Sequence, residues 1–316
     1  MKKYLFIALA AAALTSCSND DTIDIQKEAI SFSNAFIDNN TRAADPSLNN
    51  TTLKEFNVYG SVTGIDGTTK VEIFNGETVS GIVGTTEGNP NVWTCTKTQY
   101  WIPNGKYNFA AVVNGTVATE TEHLPATITY NADGTTDLLY ARSATDILGK
   151  ASDNDLVEFT FNHLLSKVMF TAKNSMTDSN YKYSLANLKV TGTSTTGTYT
   201  VGATTPWGNT NTTGATEGFG NINDVVGGVT EAKECTNERL IIPANYTNLE
   251  ISFDLTWYYN GTAISTLTDQ KKTASVNLQP GYAYNFVITT ALNAPIQFTV
   301  EKAPEWNTPV NEVPAQ

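Results

Sequence analysis

Leu249-Glu250-Ile251-Ser252-Phe253-Asp254-Leu255-Thr256-Trp257 alternates without a break, with five apolar residues on one side and four polar ones on the other. Successive side chains leave a strand on opposite faces, so this period of two with one wet face marks a half-buried antiparallel strand. The same alternation returns in Lys70-Val71-Glu72-Ile73-Phe74, Val157-Glu158-Phe159-Thr160-Phe161 and Ile296-Gln297-Phe298-Thr299-Val300. Asp66-Gly67, Asn104-Gly105, Asp133-Gly134 and Asn260-Gly261 punctuate these runs. Such pairs accept the backbone that tight turns require. Only Leu164 to Lys167 has some helical character, and it is short. The chain reads as all-β, built from sandwiches.

Composition agrees. Charged residues make up 16 %, and Thr, Asn and Gly are abundant, a mix that favours pleated strands and polar turns over helices. The net charge of -12 disfavours binding to phosphate backbones. The chain is long for one core, so two domains are expected. A first set of strands ends in the aromatic group Trp93, Tyr100, Trp101, Tyr107 and Phe109. The polar stretch Lys150 to Asp155 follows as a linker, and a second set runs from Val157 to Tyr282, Tyr284, Phe286, Ile288 and Phe298. Residues 191–230, rich in Gly, Thr and Asn, read as a long decorated loop or an edge hairpin.

The N-terminus carries an export signal. Lys2 and Lys3 precede an apolar stretch from Tyr4 to Leu14, and Leu14-Thr15-Ser16-Cys17 follows. The stretch falls short of the roughly 20 apolar residues that span a bilayer, and its layout is secretory. The last four residues resemble a lipobox, which implies cleavage before Cys17 and a diacylglyceryl group on it. Ser18 to Thr22 then forms a polar tether. Loss of residues 1–16 removes two lysines, taking the charge from -12 to -14. Cys95 and Cys235 remain, far apart and in different expected domains, and read as two separately buried thiols. No CxxC and no metal-ligand spacing involves them.

Ala29-Ile30-Ser31-Phe32-Ser33 alternates like a strand, and Ala35-Phe36-Ile37 follows it. Asp38 to Ser47 is polar and turn-prone, with Pro46 to stop a helix or a central strand. Arg42, a lone arginine in an exposed stretch, suits an Arg-specific protease.

These pieces, in order, resemble the fimbrillin family, the subunits and accessory proteins of type V pili of Gram-negative gut and oral anaerobes. The match takes in Leu14–Cys17, Ile30–Phe32 with Asn40–Ala43, Tyr100–Phe109 and Phe159–Phe170. It continues through Leu240–Ala244, Leu278–Phe286 and Ile296–Val300 before Trp306. The resemblance implies two transthyretin-like antiparallel β-sandwich domains in tandem. The expected division is a signal peptide at 1–16, a lipidated tether with removable strand at 17–42, and sandwiches at 43–154 and 155–316. It implies that Ile30, Phe32 and Phe36 plug the first sandwich until the bond between Arg42 and Ala43 is cut. A strand from another subunit then fills the groove by β-augmentation. The donor is expected around Ile296, Phe298 and Val300, extending toward Trp306 and Val310. Partners are then other fimbrillin subunits, an Arg-specific protease, the outer membrane through the lipid on Cys17, and a surface receptor. Pro304, Pro309 and Pro314 depart from a donor strand, since proline gives no ladder hydrogen bond. Arg142 is a second candidate arginine.

No cofactor, metal site or enzymatic centre is expected. His123 and His163 are the only histidines and accompany no nucleophile, and His163 reads as structural. Asn131 to Asp137 lacks the closing glutamate of a calcium loop and reads as a turn. The glycines between Gly214 and Gly228 lack a phosphate-loop lysine. Asp21-Thr22-Ile23 resembles an O-glycosylation acceptor. Trp101, Tyr107 and Phe109 suggest either a core or a sugar-stacking platform. The alternative function is therefore a surface glycan-binding lipoprotein using Trp101 or Trp207.

Overall fold

A computed structural model describes residues 28–37, 47–49, 52–64, 66–82, 92–211 and 214–305. All regular structure among them is strand. The first half holds β1 (Phe32–Ile37), β2 (Glu55–Thr63), β3 (Lys70–Ile82), β4 (Val92–Cys95), β5 (Lys106–Val113), β6 (Thr116–Thr121), β7 (Leu124–Asn131), β8 (Leu139–Arg142), β9 (Ile147–Leu148) and β10 (Val157–His163). Next come β11 (Ser166–Asn174), β12 (Tyr181–Thr193), β13 (Thr196–Thr200), β14 (Trp207–Asn211), β15 (Gly214–Thr216) and β16 (Ile222–Val226). The chain continues through β17 (Lys233–Glu234), β18 (Arg239–Ile241), β19 (Asn245–Tyr259), β20 (Thr262–Asn277), β21 (Tyr282–Thr290) and β22 (Gln297–Glu305).

An eight-stranded sheet runs β1-β10-β8-β5-β2-β3-β4, with β9 also on β5. It encloses a core in which Phe32, Phe56, Phe74, Trp93, Tyr107, Phe109, Phe159 and Phe161 meet. Two five-stranded sheets, β17-β11-β21-β22 with β18 also on β11, and β15-β12-β19-β20 with β16 also on β12, sandwich a second core. The alternating stretch 249–257 lies in β19, between β12 and β20, and sends all five of its apolar residues into that core. Its neighbour β20 is an edge strand of mostly exposed residues with Lys271 and Lys272, charges that discourage pairing with foreign strands.

A four-stranded sheet, β14-β13-β7-β6, draws on both halves of the chain. It covers the back of the eight-stranded sheet over a third core, which Leu164, Leu165, Leu240 and Ile242 join. The run Phe109-Ala110-Ala111-Val112 is consequently buried on both faces. Phe109 and Ala111 point to the first core and Ala110 and Val112 to the third.

Three local readings change. Leu164–Lys167 is not helical: Leu164 N–H bonds to Leu138 O as the chain turns, and Ser166 already opens β11. Residues 191–230 contain strands with defined partners, since β13 pairs with β7 and both β15 and β16 pair with β12. The strand expected to open the second unit, β10, pairs with β8 and buries Val157, Phe159 and Phe161 in the first core. By sheet membership, β10 therefore goes with the strands that precede it.

Cys95 and Cys235 are free and half-buried, one packed against the first core and the other against the second. Burial pushes both thiols up from their ordinary pKa.

Candidate functional site

Residues 28–37 lie in a slot with two different walls. On one side Ile30 N–H donates to Gln99 O at 2.7 Å and Trp101 N–H donates to Glu28 O at 3.0 Å, an antiparallel bridge centred on Ala29 and Tyr100. On the other side Val157 N–H donates to Ser31 O at 2.9 Å, and β1 runs parallel to β10 from Phe32 to Ile37. Neighbouring residues of an extended chain present their amides to opposite edges, so Ile30 serves one wall and Ser31 the other.

Each wall is braced. Tyr107 Oη accepts the N–H of Ile102 at 2.6 Å and fixes the turn after Trp101, while Trp101 packs edge-on to the Tyr107 ring at 4.6 Å. The Glu28 carboxylate accepts the Asn154 backbone N–H at 2.9 Å and its side-chain amide at 2.7 Å, tying the strand's start to the residues before β10. The Asn154 backbone N–H, then its amide, hold the Glu28 carboxyl below its usual pKa.

The floor is aromatic. Phe32 is 3 % exposed and touches four rings: Phe74 at 5.8 Å, Phe159 at 6.0 Å, Phe56 at 6.1 Å and Phe109 at 6.3 Å between centroids. Gly60 of β2 makes room for two of them, because a Cβ there would stand 2.8 Å from Phe109 and 3.2 Å from Phe74. Burying a phenylalanine side chain contributes about 1.5–3 kcal/mol, and ring-edge contacts add to it.

Ile30 and Phe32 are both buried in this core. The pairing with β10 shifts by one residue between Phe32 and Ala35, which sets Phe36 opposite Thr160 and Ile37 opposite Phe161. Ile37, which strict alternation did not select, is 2 % exposed and belongs to the core. The side chain of Phe36 lies outside the described residues, as do Cys17, Arg42, Ala43, Trp306 and Val310.

The expected donor segment occupies the edge of its own sandwich. β22 pairs antiparallel with β21, with Ile296, Phe298 and Val300 half-buried against the second core and Gln297, Thr299 and Glu301 exposed. Phe298 meets Phe286 at 5.6 Å, and Lys302 Nζ sits 3.4 Å over the Tyr282 ring. The register slips between Tyr282 and Tyr284, opposite the stretch that holds Pro304, so the proline falls where the ladder is already broken.

Other candidates resolve into structure. Trp101, Tyr107 and Phe109 are core residues and offer solvent no stacking face. Trp207 is half-buried and its indole N–H donates to Leu164 O at 2.8 Å. His163 Nδ1 lies 2.7 Å from Asp137 Oδ2, with both side chains fully buried, and the same oxygen accepts the Leu48 N–H at 2.9 Å. Asp133 accepts the N–H groups of Thr135 and Thr136, a self-contained turn. Arg142 is the exposed last residue of β8 rather than a loop residue.

An all-β architecture of stacked antiparallel sheets is also that of solved fimbrial β-sandwich proteins. The fold of a fimbrial protein from Bacteroides vulgatus is similar at a TM-score of 0.61 and 15 % identity, over 88 % of this chain and 99 % of that one. A Bacteroides uniformis structure assigned to cell adhesion is similar at a TM-score of 0.50 and 19 % identity, over 91 % of this chain and 100 % of that one. A search of curated sequences finds no match. Residues 41–303 match the profile of the fimbrillin-like proteins, and the chain belongs to that family. Residues 1–18 match a prokaryotic membrane lipoprotein lipid attachment site.

Proposed function

We propose that this chain is a structural subunit of a type V fimbria that serves adhesion and biofilm formation. It is exported as a lipoprotein precursor on Cys17, reaches the outer membrane and cell surface, and is matured by an Arg-specific protease between Arg42 and Ala43. It then assembles with other fimbrillin subunits by donor-strand exchange. In this reading the chain comprises two transthyretin-like units, the first of them plugged by its own residues 28–37.

The seating of Phe32 supports the reading most directly. A strand hydrogen-bonded on both edges, with a ring set among four others, leaves two unpaired walls and an apolar floor when it departs. A donated strand meets those needs through main-chain hydrogen bonds and alternate side chains. Plugging the slot until export is complete also keeps a sticky edge covered. Cleavage at Arg42 would release the lipid with residues 17–42, making Cys17 a delivery device. An intact Arg42 would keep it as a permanent anchor.

The test compares the full chain, the Arg42→Ala chain and protein beginning at Ala43, each treated with an Arg-specific protease and run unboiled on denaturing gels. Heat-stable ladders from the cut protein and none from Arg42→Ala are expected. A cut protein that stays monomeric alone and with co-expressed subunits would refute assembly by this route.

A further inference from the structure

The hairpin between β6 and β7 turns on Glu122 and His123, both at positive φ, 55° and 63°. Two-residue turns of this kind usually carry Asn-Gly, for which the left-handed backbone is easy. Here the turn presents a carboxylate and an imidazole at the rim of the four-stranded sheet, facing β3 of the eight-stranded sheet. His123 Nδ1 lies 3.6 Å from Glu72 Oε2 on β3. Glu120, on β6, completes a group in which each residue offers a ligand atom and all three atoms lie within 4.8 Å of one another.

The surrounding charges leave this group short of cations. Lys70 pairs with Glu122, and Lys97 pairs with Glu77 at 3.0 Å. Glu72 accepts the Asn75 amide at 3.2 Å. Among the described residues Glu120 has no ion-pair partner. Its charge reaches the Tyr59 phenol, which burial first, and then Glu120 and Glu77, push up from its ordinary pKa.

We propose that Glu72, Glu120 and His123 form a zinc-binding site that clips the β6–β7 hairpin to β3. One imidazole and two carboxylates are a ligand set that Zn²⁺ takes at about 2.0–2.2 Å, leaving a fourth position for water. Ligand atoms around a tetrahedral zinc stand roughly 3.3–3.5 Å apart by that geometry. The His123–Glu72 contact, at 3.6 Å, is close to that spacing, and small side-chain rotations of Glu72 and Glu120 close the remainder. Calcium would need about six to eight oxygen ligands, more than this site offers, and has no use for the imidazole. The site unites residues about fifty positions apart, Glu72 and the Glu120–His123 pair, so no short motif in the sequence announces it.

The experiment is isothermal titration of ZnCl₂ into the metal-free full chain, repeated with His123→Ala, Glu72→Gln and Glu122→Gln. The side chains of Glu72, Glu122 and His123 are all well exposed, so the variants keep the fold, which circular dichroism checks. One zinc ion per chain is expected, with affinity weakened at least about tenfold by His123→Ala and Glu72→Gln. Glu122→Gln serves as the control that retains binding. Absence of saturable binding in the parent would reduce the group to a surface ion pair and overturn the proposal. Binding that survives both ligand variants would place the metal elsewhere, with the same consequence.

Discussion

Replacing Phe32 by alanine empties the centre of the strand slot. The ring is 3 % exposed and lies about 6 Å from four others, two of them rigidly placed beside Gly60. A buried Phe→Ala change costs about 3–5 kcal/mol when its surroundings cannot collapse, and rings held on four different strands have little room to do so. The loss falls on the seating of residues 28–37 before it falls on the whole fold, because this segment is joined to the rest by hydrogen bonds at its two edges. At about 1.4 kcal/mol for each factor of ten, the population with the strand unseated rises at least about a hundredfold. Native-state hydrogen exchange reads this directly through the amides of Ile30 and Val157, which bond to Gln99 O and Ser31 O across the two walls. Both should lose at least about a hundredfold in protection, while the amide of Leu255 in β19 should not follow them. A change below tenfold at Ile30 and Val157, with Leu255 equally affected, would refute the argument that Phe32 seats the strand.

Three further outcomes follow from the same packing. Asp137→Ala leaves the His163 ring without its buried carboxylate and Leu48 N–H without an acceptor, so urea denaturation should show a loss of about 3–5 kcal/mol; a loss under about 1 kcal/mol would discount the pair. Trp101→Ala should lower stability by about 3 kcal/mol or more in the same assay, since Trp101 is packed on Tyr107 and Phe109; unchanged stability would remove it from the core. Alkali should destabilise the chain, because burial raises the phenols of Tyr130, Tyr140, Tyr183 and Tyr246 above their ordinary value. The unfolded chain releases these protons near pH 10 and the folded chain only at higher pH, so stability is intact below about pH 10 and falls above it. Denaturation midpoints that stay level from pH 9 to about pH 11 would contradict that sign.

What the sequence made legible was the facing of side chains, more than their partners. Residues 249–257 declared their buried side because a regular strand between two neighbours preserves a period of two. The same logic placed Ile30 and Phe32 but missed Ile37, because one slip in register between Phe32 and Ala35 reverses the phase of everything after it. Leu164–Lys167 misled for another reason: a short apolar run carries no period and suits helix or strand equally. The pattern of β10 gave its buried face correctly yet suggested the wrong company, since its partners β1 and β8 are chosen by long-range pairing. The Thr- and Gly-rich strands β13 and β14 were hidden for the same cause, the pairing of β13 with β7 and of β14 with β13 being invisible in composition. The bracing contacts of the slot, Glu28 to Asn154 and Tyr107 to Ile102, join residues whose proximity only the fold creates.

The slot that holds residues 28–37 has an antiparallel wall at Gln99–Trp101 and a parallel wall at β10. Parallel and antiparallel ladders place their donors and acceptors at different spacings and slants. A strand entering backwards would have to pair antiparallel with β10 and parallel with residues 99–101, in a register different from that of residues 28–37. As residues 28–37 fill it, the slot holds a strand in one chain direction. Molecules joined head to tail through it, as proposed above, would form a series with two unlike ends.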